Sequence, residues 1–138
     1  MAHEEHRRAG APNSKRPGAV LVVEDDDSVR RAIAGMLRSS GFSAVEAASG
    51  REGFEVLRTG PAVAMVLLDL HMDVMDGRAF RQLQLADPAL ATIPTVILTG
   101  APLVEVDDAT LRADDYLLKP VGREHLVSVV SAYCAAGS

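Results

Sequence analysis

Several apolar runs of this 138-residue chain end in side chains that could perform chemistry. In sequence order these side chains are Glu24, Asp25, Asp69, Thr99 and Lys119. Carboxylates that share one pocket repel one another unless a cation is bound, and Mg²⁺ prefers oxygen ligands of this kind. Together with an amine and a hydroxyl, the acids could hold a phosphoryl group, and a carboxylate could be its acceptor.

The runs that carry these side chains are predicted to be strands. Residues 19–23, 63–68 and 95–98 are continuous stretches of apolar or β-branched residues, which is typical of strands buried on both faces of a sheet. Two shorter strands are predicted at residues 42–47 and 115–118. Apolar residues at helical spacing predict helices that include residues 29–37, 54–57, 77–86, 101–113 and 126–133.

The alternation of strand and helix predicts an α/β fold. Its centre would be a doubly wound, five-stranded parallel sheet, with five helices covering the two faces. In such a sheet, ligands bind in the crevice beyond the carboxyl ends of the strands. The acids, the hydroxyl and the amine are therefore expected to converge at that edge of the sheet.

Other polar residues near these positions are assigned to helix N-termini. Asp26 and Asp27 precede the first predicted helix, where acids are favoured. Asp76 stands at the corresponding place before the third helix, and Ser49 and Glu52 have the spacing of a capping box before the second. These residues are left out of the predicted site.

Composition and charge exclude several classes of protein. The net charge of −5 argues against a general nucleic-acid binder, because such proteins neutralise phosphates with Lys and Arg. The sequence has one cysteine, Cys134, no run of about 18 apolar residues and no signal-peptide pattern in its first residues. The expectation is a cytoplasmic protein with neither a nucleic-acid nor a membrane partner.

The first 18 residues differ in composition from the rest of the chain. They contain four basic and two acidic residues, several Gly and Pro residues and hardly any large apolar side chain. Ordering such a segment costs conformational entropy with little burial in return. The predicted organisation is a disordered tail at residues 1–18, one folded domain at 19–134 and a short tail at 135–138. The folded domain contains a single lysine, Lys119.

Five segments resemble the receiver domain of two-component response regulators. Residues 22–26 (VVEDD) are similar to the acidic doublet after its first strand, residues 66–72 (VLLDLHM) to its phosphoacceptor segment, and residues 75–77 (MDG) to the motif that follows. Residues 96–100 (VILTG) resemble its switch-hydroxyl segment, and residues 114–120 (DDYLLKP) resemble its lysine segment with the aromatic switch. The resemblance extends from about Ala19 to Cys134, and the order and spacing of the segments make it specific.

This resemblance implies a flavodoxin-like three-layer sandwich with strand order 2-1-3-4-5. It also implies that Asp69 accepts a phosphoryl group from a histidine kinase or a histidine phosphotransfer protein, forming an aspartyl phosphate. Mg²⁺ would be bound by Asp25, Asp69 and the backbone carbonyl of His71, with Glu24 acting directly or through water. Such a module is a signalling domain rather than an enzyme, and we expect a monomer or a weak homodimer.

Three further residues would respond to the phosphoryl group in such a domain. Lys119 would pair with the phosphate, Thr99 would move to hydrogen-bond it, and Tyr116 would turn inward behind Thr99. This movement would reshape the face formed by the predicted helix at 101–113, the fifth strand and the last helix. Tyr116 could instead be a strand aromatic that only packs on the sheet. The resemblance further implies a cis peptide between Lys119 and Pro120.

Two positions depart from the family pattern. Asp73 stands where the family usually has proline, and its carboxylate could either raise the negative potential near the acceptor or point into solvent. The spacing from Thr99 to Tyr116 is about two residues shorter than usual, which is about half a helical turn. The second departure falls on the face that would report phosphorylation to a partner.

Two other functions fit the same residues. A phosphatase of the haloacid dehalogenase kind would use an aspartate nucleophile with Mg²⁺, Lys and Thr, but it usually has this nucleophile after the first strand and an acid two residues later. Here Asp69 follows the third strand and is followed by His71. The other possibility is a receiver-like scaffold that works without phosphorylation. The main hypothesis is a phosphorylation-dependent signalling module with no output domain of its own.

Overall fold

A five-stranded parallel sheet forms the centre of the molecule. The computed structural model describes residues 15–70, 72, 76–100 and 111–135. Within them the strands are β1 (Ala19–Val23), β2 (Ala44–Ala47), β3 (Val63–Asp69), β4 (Thr95–Thr99) and β5 (Asp115–Leu118). Their spatial order is β2-β1-β3-β4-β5, and every neighbouring pair is parallel. The predicted strands and their flavodoxin-like order are confirmed.

Helices cover both faces of the sheet. The helices of the described residues are α1 (Asp27–Ser39), α2 (Gly50–Thr59), α3 (Gly77–Ala86), α4 (Pro88–Ala91) and α5 (Arg123–Ser131). α1 and α5 contribute to one buried apolar cluster, and α2, α3 and α4 contribute to a second. The result is the three-layer sandwich that we expected. In the part of the chain that the structure describes, no helix has the length and apolar character needed to cross a membrane.

Residues of the central strands alternate between these two clusters. In β1, Val20 and Val22 belong to the cluster of α1 and α5, whereas Leu21 and Val23 belong to the cluster of α2, α3 and α4. Since successive side chains of a strand point to opposite faces and both faces are covered, every residue of β1 is buried. An uninterrupted aliphatic run therefore encodes this strand, rather than an alternation of apolar and polar residues.

The predicted helix starts are confirmed for the first three helices. Asp26, Ser49 and Asp76 are the N-caps of α1, α2 and α3. Their side chains accept backbone N–H groups at 3.0, 3.2 and 2.9 Å, respectively. Glu52 completes the cap of α2 by accepting the N–H of Ala48 at 3.2 Å. Each cap satisfies an N–H group that the helix itself leaves without a partner.

The helix content differs from the prediction after α3. The sequence pattern predicts that a helix ends before Asp87 and Pro88, but these two residues also begin the short helix α4. Asp87 caps it by accepting the N–H of Ala89 at 3.0 Å, and proline is compatible with the first helical position because no N–H is needed there. The helix predicted between residues 101 and 113 falls largely on residues 101–110, which lie outside the described residues.

The N-terminal segment is ordered further towards the start of the chain than its composition indicates. Arg16, which we assigned to a disordered tail, donates its N–H to the carbonyl of Tyr133 at 2.9 Å and accepts the N–H of Ala135 at 3.0 Å. Its guanidinium donates to the carbonyl of Thr92 at 2.6 Å. Pairing with the end of the chain thus holds this residue in place. The tail prediction for residues 1–14 lies outside the described residues.

A buried arginine connects α3 to the two strands at the far side of the sheet. Arg81 is 0% exposed. Its Nε donates to the carbonyl of Leu111 and its Nη2 to the carbonyl of Arg112, both at 2.8 Å. Its Nη1 donates to Oε1 of Gln84 at 2.8 Å and to Oγ1 of Thr95 at 3.0 Å. One guanidinium therefore holds α3, the start of β4 and the chain that leads into β5.

We predict that Arg81→Ala lowers the free energy of unfolding by about 3 kcal/mol, because four acceptors, three of them buried, lose a donor. Urea denaturation followed by circular dichroism measures this change. Gln82→Ala, at an exposed position of the same helix, is the matched control and should change stability by less than about 0.5 kcal/mol. Equal effects of the two substitutions would show that the buried network does not stabilise the fold.

Candidate functional site

The strand register brings the predicted site residues to one edge of the sheet. In the pairing of β1 with β3, Glu24 follows the last paired residue of β1 and comes level with Asp69. In the pairing of β4 with β5, Thr99 is the last paired residue of β4, and Lys119 follows the last residue of β5. Because all five strands are parallel, these ends face the same crevice.

Three carboxylates meet at this edge. Glu24, Asp25 and Asp69 each contribute one oxygen to a group in which the atoms lie within 4.8 Å of one another. Glu24 and Asp69 are only 1% and 3% exposed, whereas Asp25 is exposed. The cluster therefore has a buried side and a side that opens to solvent at Asp25.

Lys119 contacts both buried acids. Its Nζ lies 2.5 Å from Oε1 of Glu24 and 3.2 Å from Oδ1 of Asp69. One ammonium supplies a single positive charge to a cluster of three carboxylates. The contacts therefore offset only part of the repulsion between the acids.

The proton affinities of the buried groups reflect this imbalance. Burial raises the pKa of Glu24 to about 7, and the neighbouring Asp69 acts in the same direction, while Lys119 acts against it. For Lys119, burial disfavours the charged amine, but the hydrogen bond to Glu24 and the charges of Glu24 and Asp69 prevail and raise its pKa. Near neutral pH the amine is charged, whereas Glu24 holds a proton more readily than an ordinary carboxyl group does.

The close approach of α3 to the end of β3 requires glycine at position 77. The N–H of Gly77 donates to the carbonyl of Leu70 at 3.1 Å. A Cβ at this position would overlap the carbonyl oxygen of Asp69 and would lie 2.7 Å from Cα of Leu70. A side chain here would push α3 away from the strand end that carries Asp69. Sequence reasoning placed Gly77 in a family motif but did not identify this steric constraint.

Thr99 and Tyr116 lie on the two strands beside the acids. Thr99 is fully buried, and its carbonyl accepts the N–H of Lys119 at 2.9 Å. Tyr116 is half-buried and packs against the apolar cluster of α2, α3 and α4. The peptide between Lys119 and Pro120 is cis, as the resemblance to receiver domains implied. Of the other predicted positions, His71 and Asp73 lie outside the described residues.

Sequence reasoning missed Arg30 of α1. This side chain is buried, and its Nη1 donates to the backbone carbonyl of Glu24 at 2.9 Å. Asp27, three residues before it, pairs with its Nη2 at 2.6 Å. The spacing of this ion pair was visible in the sequence. The contact with a backbone carbonyl at the acidic edge was not, because no sequence pattern marks it.

The arrangement suits two kinds of ligand. Clustered carboxylate oxygens can bind a hard divalent cation such as Mg²⁺. An ammonium next to such a cation can bind an anion that carries several oxygens, such as a phosphoryl group. The site therefore combines the groups needed to hold a phosphoryl group beside a carboxylate.

Comparisons with known proteins identify one family. Residues 20–131 match the response regulator receiver domain. The transcriptional regulatory protein GlrR of Escherichia coli K12 is 34% identical over 122 residues, which are 85% of this chain and 26% of that protein. The two-component response regulator ORR5 of Oryza sativa subsp. japonica is 34% identical over 116 residues, which are 83% of this chain and 82% of that protein.

A solved structure gives the same result for the fold. A response regulator receiver protein from Pseudomonas putida superimposes with a TM-score of 0.74 at 28% identity, covering 86% of this chain and 97% of the other. The chain spans only about a quarter of the GlrR regulator but most of the rice regulator and of the Pseudomonas protein. The sequence match, the strand order and the acidic edge lead to one conclusion: this chain belongs to the receiver domain family of two-component response regulators.

Proposed function

We propose that this chain is a phosphoacceptor domain in which Asp69 receives a phosphoryl group from a histidine kinase or a histidine phosphotransfer protein. The observation that carries the proposal is the position of Asp69, a buried carboxylate 3.2 Å from the amine of Lys119 and clustered with two other acids. Membership of the receiver family supports the same reading. We assign the acceptor domain to residues 19–134, with Arg16 and Ala135 paired to each other at its margin. We place it in the cytoplasm, where it acts as a monomer or weak homodimer.

Mg²⁺ fits the residues of this site. Among the residues that the structure describes, no group donates a hydrogen bond to Oε2 of Glu24, although this oxygen is buried. A divalent cation would supply the positive charge that Lys119 alone does not provide. We assign the metal to Asp25, Asp69 and the carbonyl of His71, with Glu24 bound directly or through water. When bound, the ion neutralises charge on the phosphoryl oxygens.

The transfer itself is a displacement at phosphorus. A carboxylate oxygen of Asp69 forms a bond to phosphorus while the bond from phosphorus to the donor imidazole nitrogen breaks, and the electron pair of that bond returns to the imidazole. Lys119 already lies beside the attacking carboxylate and would pair with the transferred oxygens. Burial of Asp69 limits the access of water that would hydrolyse the acyl phosphate.

Thr99 and Tyr116 would transmit the phosphorylation event. The Thr99 hydroxyl would donate to a phosphoryl oxygen, and Tyr116 would turn inward behind it. The change would alter the face of β5 and α5, together with the helix predicted at residues 101–113. Leu118 of β5 is 50% exposed, which gives this face an apolar contact for a protein partner.

We predict that acetyl phosphate and Mg²⁺ label the protein with one phosphoryl group on Asp69. Intact-protein mass spectrometry detects the label, and Asp69→Asn should abolish it because an amide oxygen is a poor nucleophile. Asp26→Asn is the matched control. It makes the same change at an exposed acid near the site, retains a capping side chain and should leave the label intact.

Three outcomes would contradict this assignment. Multiple turnover of phosphate monoesters would instead identify an aspartate-nucleophile phosphatase. A label of equal size in the Asp69→Asn variant would exclude Asp69 as the acceptor. Signalling that persists without any label would identify a scaffold that works without phosphorylation.

Mg²⁺ affinity should depend on pH through Glu24. Because the pKa of Glu24 is about 7, the metal must displace a proton from this site at lower pH. Calorimetric titration should show an affinity about tenfold weaker at pH 6 than at pH 8, as expected for one proton with this pKa. Glu24→Gln should weaken binding at both pH values and flatten the ratio between them. A ratio that is unchanged in this variant would mean that another group sets the pH dependence.

The same carboxyl should make the metal-free protein less stable as the pH rises. The pKa of Glu24 is 4.5 when unperturbed and about 7 in the folded chain, so the folded state binds more protons between these values. Its contribution is therefore most favourable below the unfolded pKa and decreases as the pH rises through the folded pKa, by about 1 to 3 kcal/mol. Urea denaturation in EDTA at pH 5 and pH 8 measures the difference. If Glu24→Gln shows the same pH dependence as the parent protein, Glu24 is not its source.

A further inference from the structure

Arg30 connects three parts of the molecule around the acidic edge. Its side chain is buried, with the residue 8% exposed. Nη1 donates to the backbone carbonyl of Glu24 at 2.9 Å, Nη2 donates to Asp27 at 2.6 Å, and Nε donates to Oε1 of Glu46 at 3.3 Å. These acceptors lie beyond the end of β1, at the start of α1 and on β2. The guanidinium therefore fixes how the chain passes from β1 into α1.

The contact with the Glu24 carbonyl is the one that matters for the site. The N–H of Glu24 donates to the carbonyl of Ala47 at 3.1 Å. The carbonyl of Glu24 accepts a hydrogen bond from Arg30. The backbone N–H of Glu24 is therefore held by the end of β2, and its carbonyl is held by a side chain of α1. The Glu24 carbonyl belongs to the planar peptide that joins Glu24 to Asp25, so its orientation constrains ψ of Glu24 and φ of Asp25. These two dihedral angles help to set the directions in which both side chains leave the backbone.

The shape of the side chain explains why arginine occupies this position. A guanidinium presents five N–H donors in a planar fork, so it can serve three acceptors that lie in different directions. Arg38 holds Glu46 from the other side, with Nη1 at 3.1 Å from Oε2. Arg38 thus holds Glu46 independently of Arg30. The guanidinium of Arg30 therefore finds one of its acceptors, Glu46 on β2, already in position. A lysine ammonium could keep the charge but could not reproduce these directions.

We propose that Arg30 is a positioning residue for the Mg²⁺ and phosphoryl site, acting through the backbone carbonyl of Glu24. This inference rests on the proposed function. Arg30 is not among the residues that we assign to the metal or to the phosphoryl group. It keeps the Glu24–Asp25 peptide in the orientation that directs the two carboxylates toward Asp69.

Charge and position predict opposite effects at Arg30. Its guanidinium is a cation close to a cation-binding site, so its charge alone opposes Mg²⁺ binding. Removal of that charge should strengthen Mg²⁺ binding if Arg30 acts only through its electrostatic field. Loss of the carbonyl contact should weaken binding, because the carboxylates are then no longer held in place. The sign of the change in affinity separates the two roles.

The test is a calorimetric Mg²⁺ titration of Arg30→Gln at pH 8, with acetyl phosphate labelling of Asp69 as the second measurement. We expect an affinity at least about tenfold weaker than in the parent protein, the range found for residues that orient metal ligands. The Mg²⁺ concentration for half-maximal labelling should rise by a similar factor. An affinity equal to or tighter than that of the parent protein would overturn the proposal.

Glu46→Ala is the matched control. It removes the Nε acceptor and the partner of Arg38 but leaves the contact between Arg30 and the Glu24 carbonyl. Its Mg²⁺ affinity should stay within about twofold of the parent value, because a partly exposed ion pair contributes little. A loss as large as that of Arg30→Gln would show that general loosening between α1 and β2 is responsible, and would overturn the proposal.

Arg30→Lys covers the case in which Arg30→Gln does not fold. It keeps the positive charge but not the three donor directions of the guanidinium. Weaker Mg²⁺ binding therefore supports the positioning role, and binding like that of the parent protein overturns it.

The behaviour of the parent protein distinguishes this inference from the proposed function. If the parent protein neither binds Mg²⁺ nor becomes phosphorylated by acetyl phosphate, the proposed function fails and Arg30 has no such site to position. If it does both while the Arg30 variants behave like the parent, only the role of Arg30 fails.

Discussion

Burial of like charges at the end of an apolar sheet is the constraint on which this domain depends. Glu24 and Asp69 are almost completely shielded from water, and one lysine amine lies between them. Ionised carboxylates are unfavourable in such a place unless they are paired, and one amine cannot pair with all of them. The pKa of Glu24 near 7 and its buried oxygen without a donor among the described residues are two results of this imbalance. The same imbalance is the physical basis on which we propose a cation at this edge of the sheet.

The sheet makes this arrangement possible. Its central strands are covered on both faces, so their backbones are rigid and their ends occupy defined positions. Two arginines then hold the segments around the strand ends: Arg30 at the start of α1 and Arg81 between α3 and the last two strands. Each serves several acceptors from one buried fork, which a lysine could not do. This gives a structural reason for arginine at these two of the chain's twelve arginine positions, whereas Lys119 is the lysine at the acidic edge.

Much of the fold could be predicted because its signals are local. The apolar runs of β1, β3 and β4 and the caps Asp26, Ser49 and Asp76 are recognisable from neighbouring residues alone. Long-range pairing is different. The backbone of Arg16 pairs with the end of the chain, although its composition is typical of a disordered tail. The helix α4 was missed for another reason, since Asp followed by Pro can end one helix and begin the next.

By itself, the sequence determined the type of fold and the identity of the residues at the strand ends. The periodicity of apolar residues encodes strands and helices, and a parallel sheet brings its carboxyl ends together whatever the details. Only the tertiary structure decided which acids are buried, which oxygens Lys119 reaches, why residue 77 must be glycine and which backbone carbonyl Arg30 holds. These properties depend on distances and on exclusion of water between segments far apart in the chain, and residue order does not encode them locally.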